Sequence, residues 1–190
     1  MSKPITIVVL GADRVGKSTI VNNTIKKLKM DGYDAVSLHF SGPQSHHSSP
    51  IQQYIELFDI ALDAYPQVIV CDRGFAEVAF YDEWRRRIEI SHEWAQSAES
   101  YFLEKSLDVR VYIVKRDWEW SQPHHVTEIL EQNPDATAWW VKNQLAMRKR
   151  EHEAYYDYMF LYLNNYSLLP HTVLESPSEG HSISDCIGAV

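Results

Sequence analysis

An apolar run from Ile5 to Leu10, broken only by Thr6, leads directly into Gly11-Ala-Asp-Arg-Val-Gly-Lys-Ser18. A buried strand that ends in this G-x-x-x-x-G-K-[ST] spacing, with a helix starting at the lysine, commits the first thirty or so residues to a phosphate-binding loop. Gly11 and Gly16 let the backbone curl so that successive N–H groups face one anion. The helix start aims the positive end of its dipole at the same point. Lys17 is placed to reach the outer phosphates of a nucleoside triphosphate, and the Ser18 hydroxyl can take one position on magnesium. The expected ligands are therefore ATP and Mg2+. The donor contacts are expected from Gly11, Asp13, Arg14, Val15, Gly16, Lys17, Ser18 and Thr19.

The rest of the chain alternates strands and helices. Strands are expected at Ala35 to Phe40, Val68 to Cys71, Val109 to Val114 and Thr172 to Leu174. Helices are expected at Lys17 to Met30, Ile51 to Ala64, Phe75 to Ile88, Ser91 to Lys105 and Ala136 to about Asn164, the last capped by Asp135. Ser41 to Pro50 reads as a polar loop. Asp117 to Asp135 reads as mostly irregular with a short helix at Thr127 to Glu131, and a short helix closes the chain at Ile183 to Ile187. Such alternation makes an open, mostly parallel α/β sheet with helices on both faces. The chain is one domain, residues 1–190, with no internal repeat or linker.

In such a sheet ligands gather beyond the carboxyl ends of the strands. That places Phe40-Ser41, Asp72-Arg73 and Lys115-Arg116 around the cleft that holds the loop. Asp72 can hold magnesium together with Ser18, and Arg73 can grip a phosphate with a planar guanidinium. A magnesium carboxylate beside such an arginine is what in-line phosphoryl transfer needs.

The loop sequence Gly11 to Thr19, with Asp13-Arg14 ahead of Gly-Lys-Ser, resembles the phosphate loop of eukaryotic-type thymidylate kinases. Asp72-Arg73, with Tyr81 downstream, is similar to the second motif of that family. Phe40-Ser41-Gly42-Pro43 combined with Asp72-Arg73-Gly74 looks closer still to thymidylate kinase-like deoxynucleotide kinases of bacterial viruses. The resemblance implies a three-layer P-loop kinase fold: a five-stranded parallel sheet flanked by helices, with a lid after the fourth strand, here Asp117 to Asp135. It implies catalytic roles for Lys17, Arg14, Asp13, Asp72 and Arg73, and acceptor contacts from Phe40, Arg73, Glu77 and Tyr81. The candidate lid holds neither lysine nor arginine, which suits a family branch whose loop-borne arginine, Arg14 here, neutralises the transferred phosphoryl group.

Three departures bear on the acceptor. Gly74 stands where the family has a bulky aromatic residue, Glu77 where a small hydroxyl residue helps bind thymine, and Asp82 where a glutamine commonly follows the tyrosine. The leading expectation is a kinase acting on a deoxynucleoside monophosphate, a small-molecule acceptor. The alternative is a kinase acting on a hydroxyl, of a nucleoside or of a modified base in DNA such as 5-hydroxymethyluracil, with Glu77, Asp82 or Asp13 as base. A third reading is an ATP sensor or hydrolase without an acceptor.

Composition narrows the partners. A net charge of -8 and a pI near 5.5 disfavour broad coating of nucleic acid. Arg85-Arg86-Arg87 is expected to be a solvated face, and is the contact surface to consider if the acceptor is DNA. His46-His47 and His124-His125 lack carboxylates at supporting spacing, so neither pair reads as a metal site. Cys71 lies in an apolar run and is expected to be a buried thiol. No signal-peptide layout or membrane-spanning run is present, and a cytoplasmic location follows, in host cytoplasm if the source is a virus. Homodimer formation is left open.

Overall fold

The computed structural model describes residues 3–40, 50–86, 92–178 and 180–183. Five parallel strands form one sheet: β1 (Ile5–Leu10), β2 (Ala35–His39), β3 (Val68–Asp72), β4 (Asp108–Lys115) and β5 (His171–Glu175), in the order β2-β3-β1-β4-β5. Every residue of β1 and β3 is buried. Such uninterrupted burial is what a central parallel strand shows when helices cover both faces. β5, at one edge, is only partly buried.

Among the described residues six α-helices flank the sheet: α1 (Lys17–Met30), α2 (Pro50–Asp63), α3 (Phe75–Tyr81), α4 (His92–Lys105), α5 (Trp118–Gln132) and α6 (Ala138–Asn165). The chain leaves β1 on one side to build β2 and β3, then crosses to β4 on the other. The crevice at that reversal opens over the carboxyl end of β1, where the loop begins. Register fixes the rest: Val9 of β1 pairs with Asp72 of β3, and Leu10 pairs with Ile113 of β4. Asp72 is thereby held level with the start of the loop.

An aromatic cluster of Tyr54, Phe58, Phe75 and Phe102 joins α2, α3 and α4, with Phe58 and Phe102 centroids 4.2 Å apart. On α6, Tyr155, Met159 and Tyr162 are fully buried, as core packing of that helix predicts, but Trp139 near its start is 74% exposed. Cys71 is a buried free thiol.

Several boundaries differ from those expected. Within 117–135 the chain forms the continuous helix α5 (Trp118–Gln132) with Pro123 inside it, rather than a mostly irregular stretch. Its buried positions, Trp118, Ser121, His125 and Ile129, do lie at helical spacing. Two of the four are polar, so a search for apolar periodicity misses them. Thr137, not Asp135, caps α6, its hydroxyl accepting from Trp140 N–H at 3.3 Å. The helix expected from Phe75 to Ile88 is α-helical only to Tyr81 and becomes π-helical over Asp82–Arg86. The loop at 41–49 and most of the closing helix at Ile183 to Ile187 lie outside the described residues. No described helix is long and apolar enough to cross a membrane.

Candidate active site

The loop from Gly11 to Gly16 closes over the end of β1. Arg14 takes φ 64° and Gly16 takes φ 89°, the left-handed turns that bring amides round to one side. Gly11 is required by space: a Cβ there would lie 2.8 Å from both the Val114 carbonyl oxygen and Val15 Cγ2. Its N–H donates to the Tyr155 hydroxyl at 2.7 Å, so α6 anchors the loop from below.

A cleft of ≈ 600 Å3 lies in front of this loop. Asp13, Arg14, Gly16, Lys17, Ser18 and Thr19 line it, joined by His39, Asp72 and Arg73 from the ends of β2 and β3. Arg116, Trp120, His124, Glu128 and Ser178 form its far wall. The loop, Asp72 and Arg73 are thus gathered on one cavity, whereas Val15 is wholly buried behind it.

The Ser18 hydroxyl donates to Asp72 Oδ2 at 2.6 Å, and His39 Nδ1 lies 2.9 Å from the same oxygen. Asp72 Oδ1 is buried without a hydrogen-bond partner among the described residues. A hydroxyl and a spare carboxylate oxygen side by side at a phosphate cradle fit a hard divalent cation such as magnesium. No group of three or more His, Cys, Asp or Glu side chains gathers as a metal site among the described residues. His124 and His125 instead pack against Trp120 and Trp118.

Lys17 is nearly buried. Its ammonium donates to the Gly11 and Ala12 carbonyls, the latter at 2.9 Å, and lies 3.2 Å from Glu77 Oε1. Arg73 Nη1 lies 3.9 Å from that same oxygen. Glu77, expected to contact the acceptor, is completely buried beneath the loop and does not line the cleft. Burial raises its carboxyl pKa, with Lys17 and Arg73 opposing.

Asp13 is held by Arg73 at 3.4 Å and by Arg85 at 2.6 Å. Burial alone would raise its carboxyl, but Lys17, Arg73 and Arg85 outweigh it and hold Asp13 well below the ordinary carboxylate range. Arg85 also pairs with Glu151 of α6, and its guanidinium lies 4.3 Å from the centre of the Tyr81 ring. The π-helical turn carries it there. Arg85 is therefore not the freely solvated residue expected from the Arg85-Arg86-Arg87 run, of which Arg87 lies outside the described residues. Tyr81 serves as the aromatic platform for Arg85 and, at 5.4 Å, for Arg73. It does not line the main cleft.

Arg73 carries φ 99°, unusual for a residue with a side chain. The conformation is over-determined: its N–H donates to the Val9 carbonyl at 3.1 Å, and its own carbonyl accepts from the Tyr54 hydroxyl. Backbone strain of this kind clusters at functional positions. Phe40 is placed differently from expectation. Its ring is buried against Tyr54 at 5.3 Å, because the pleat at the end of β2 turns it into the aromatic cluster rather than the cleft.

Arg14, expected to face the transferred phosphate, pairs through both ends of its guanidinium with Glu128 of α5, at 2.8 and 3.1 Å. Arg116 stacks over Trp120 at 3.8 Å, while Lys115 pairs with Glu175 at 3.1 Å. Tyr155, Arg85, Glu128 and Trp120 were not among the expected site residues. Trp120 and Glu128, both within the stretch expected to form a lid after the fourth strand, had a positional signal.

Neither a protein-family model nor a curated protein sequence matches the chain. Among solved structures, polyphosphate kinase 2 from Arthrobacter aurescens TC1 overlays with a TM-score of 0.57 at 17% identity, covering 92% of this chain. The chain spans 62% of the length of that kinase. A structure described as APE1195 overlays with a TM-score of 0.46 at 14% identity, over 92% of this chain and 86% of the other. Likeness at the level of the first structure, with the sheet order and loop described above, shows a P-loop kinase fold.

Proposed function

We propose that the protein is an ATP-dependent phosphotransferase whose acceptor is a deoxynucleoside monophosphate. One observation carries the reading: Lys17 from the phosphate loop and Arg73 from the end of β3 converge on a single oxygen of Glu77. A cation for the donor and a cation for the acceptor are thus built into one spot. Hydrolysis or sensing of ATP needs only the first. Catalysis by such a pair is positioning plus charge neutralisation.

Each residue has a task on this reading. Loop amides and Lys17 hold the donor phosphates, Arg73 presents the acceptor phosphate, and Asp13 fixes Arg73 and Arg85. Ser18 and Asp72 hold magnesium, which when bound neutralises charge on the phosphate oxygens. The Arg116–Trp120 stack offers a flat wall for the donor base.

A phosphate acceptor is favoured over a hydroxyl one by the state of the carboxylates. Attack by a hydroxyl needs a base. Asp13 is a poor base while paired with Arg73 and Arg85 and held low by nearby Lys17 as well, and Glu77 and Asp82 are buried. A phosphate oxygen is already anionic and needs no base. The test is a panel of deoxynucleosides, their monophosphates and oligonucleotides, each scored for acceptor-dependent ADP formation with MgATP. Stimulation by one or more monophosphates is the expected result. Stimulation by oligonucleotides or free nucleosides alone would move the assignment to a hydroxyl kinase.

A further inference from the structure

A fully buried carboxylate beneath a phosphate-binding lysine is costly unless it has a task, because the hydration an ion loses on burial is returned only by close partners. Glu77 is 0% exposed, and neither of its oxygens takes a well-formed hydrogen bond among the described residues. Its compensation is ionic: Oε1 is 3.2 Å from Lys17 Nζ and 3.9 Å from Arg73 Nη1. These are the two cations assigned above to donor and acceptor. The Lys17 ammonium is thereby spent inward, on two carbonyls and this carboxylate.

We infer that Glu77 is a positioning residue, an internal anion that fixes the spacing of Lys17 and Arg73 from below and competes with the donor phosphates for the lysine. The inference rests on the phosphotransferase reading and goes beyond it. A neutral residue at position 77 releases one ammonium contact of Lys17 to the triphosphate tail, so MgATP binds more tightly. The same change leaves two neighbouring cations without their shared anchor, so transfer slows although binding improves. A side chain that merely fills the core does neither.

Calorimetric titration with MgATP separates the cases. Wild type, Glu77→Gln and Glu77→Asp are compared, together with Lys17→Met and the double variant. Glu77→Gln is expected to lower the dissociation constant at least threefold. Glu77→Asp, which keeps the charge, is expected to stay nearer wild type. In the Lys17→Met background the gain from Glu77→Gln is expected to vanish, since the effect runs through the lysine. Glu77→Met replaces the Gln variant should the latter lose its fold, with the same tightening expected.

Unchanged or weaker MgATP binding in the folded neutral variants overturns the inference, as does a gain that persists without Lys17. Failure of the wild type itself to bind MgATP overturns the phosphotransferase reading instead, so the two failures are told apart.

Discussion

Gly11 and Tyr155 are separated by most of the chain, yet the loop depends on their contact. The hydroxyl that accepts the Gly11 N–H is itself fully buried, so Tyr155→Phe leaves an orphaned donor beneath the cradle. A cost of about 1–3 kcal/mol is expected, measured by urea denaturation. Gly11→Ala should cost a similar ~1–3 kcal/mol by overpacking, since its new methyl meets a backbone carbonyl that cannot rotate away. His125 gives a pH test. Buried against Trp118, its imidazole is pushed down to about 4 from 6.5, first by desolvation and then by Arg148. The unfolded chain therefore binds a proton that the folded one refuses between those values. Stability contributed by neutral His125 is present above pH 6.5 and lost as pH falls toward 4, by up to about 3 kcal/mol. A His125→Gln variant should show a shallower decline over that interval in denaturation midpoints. A parallel decline in both proteins would refute this. The sequence displayed the loop residues because their chemistry is local. Tyr155, Arg85 and the strain at Arg73 were hidden because each depends on chain brought back by the fold.

At the scale of elements, the central strands were legible since burial on both faces leaves nearly continuous apolar runs that end in glycine or a charged pair, and α1 since its apolar residues recur at helical spacing. α5 was not, for its core-facing stripe contains Ser121 and His125 and it tolerates Pro123 near its start. The error mattered, because α5 brings Glu128 onto Arg14 and Trp120 over Gly16. The Arg14–Glu128 pair is half exposed on the arginine side, so it is worth less than about 1 kcal/mol to stability. Its effect should appear in mobility. Glu128→Gln is expected to leave the denaturation midpoint nearly unchanged while hastening hydrogen exchange in α5 and the loop. Exchange identical to wild type would show that α5 is held by its packing on α6 alone. Likewise the π-helical turn after α3 shifts Arg85 onto Asp13 and Glu151, an offset that helical periodicity alone does not reveal.

Across the whole molecule, the order β2-β3-β1-β4-β5 puts the ends of β1, β2, β3 and β4 around one cleft. The alternation of strands and helices made that architecture readable, and the phosphate loop located its working edge. The acceptor side was less readable: Phe40 and Glu77 sit in the core, and the polar loop after β2 lies outside the described residues. What the assembled cleft should do is move a phosphoryl group rather than discard it. Phosphorus NMR of MgATP with a deoxynucleoside monophosphate tests this directly. The expected spectrum shows the γ-phosphorus reappearing as the β-phosphorus of a nucleoside diphosphate, in step with ADP, and shows no such transfer for Lys17→Ala. Release of free orthophosphate alone, or transfer undiminished in Lys17→Ala, would contradict it.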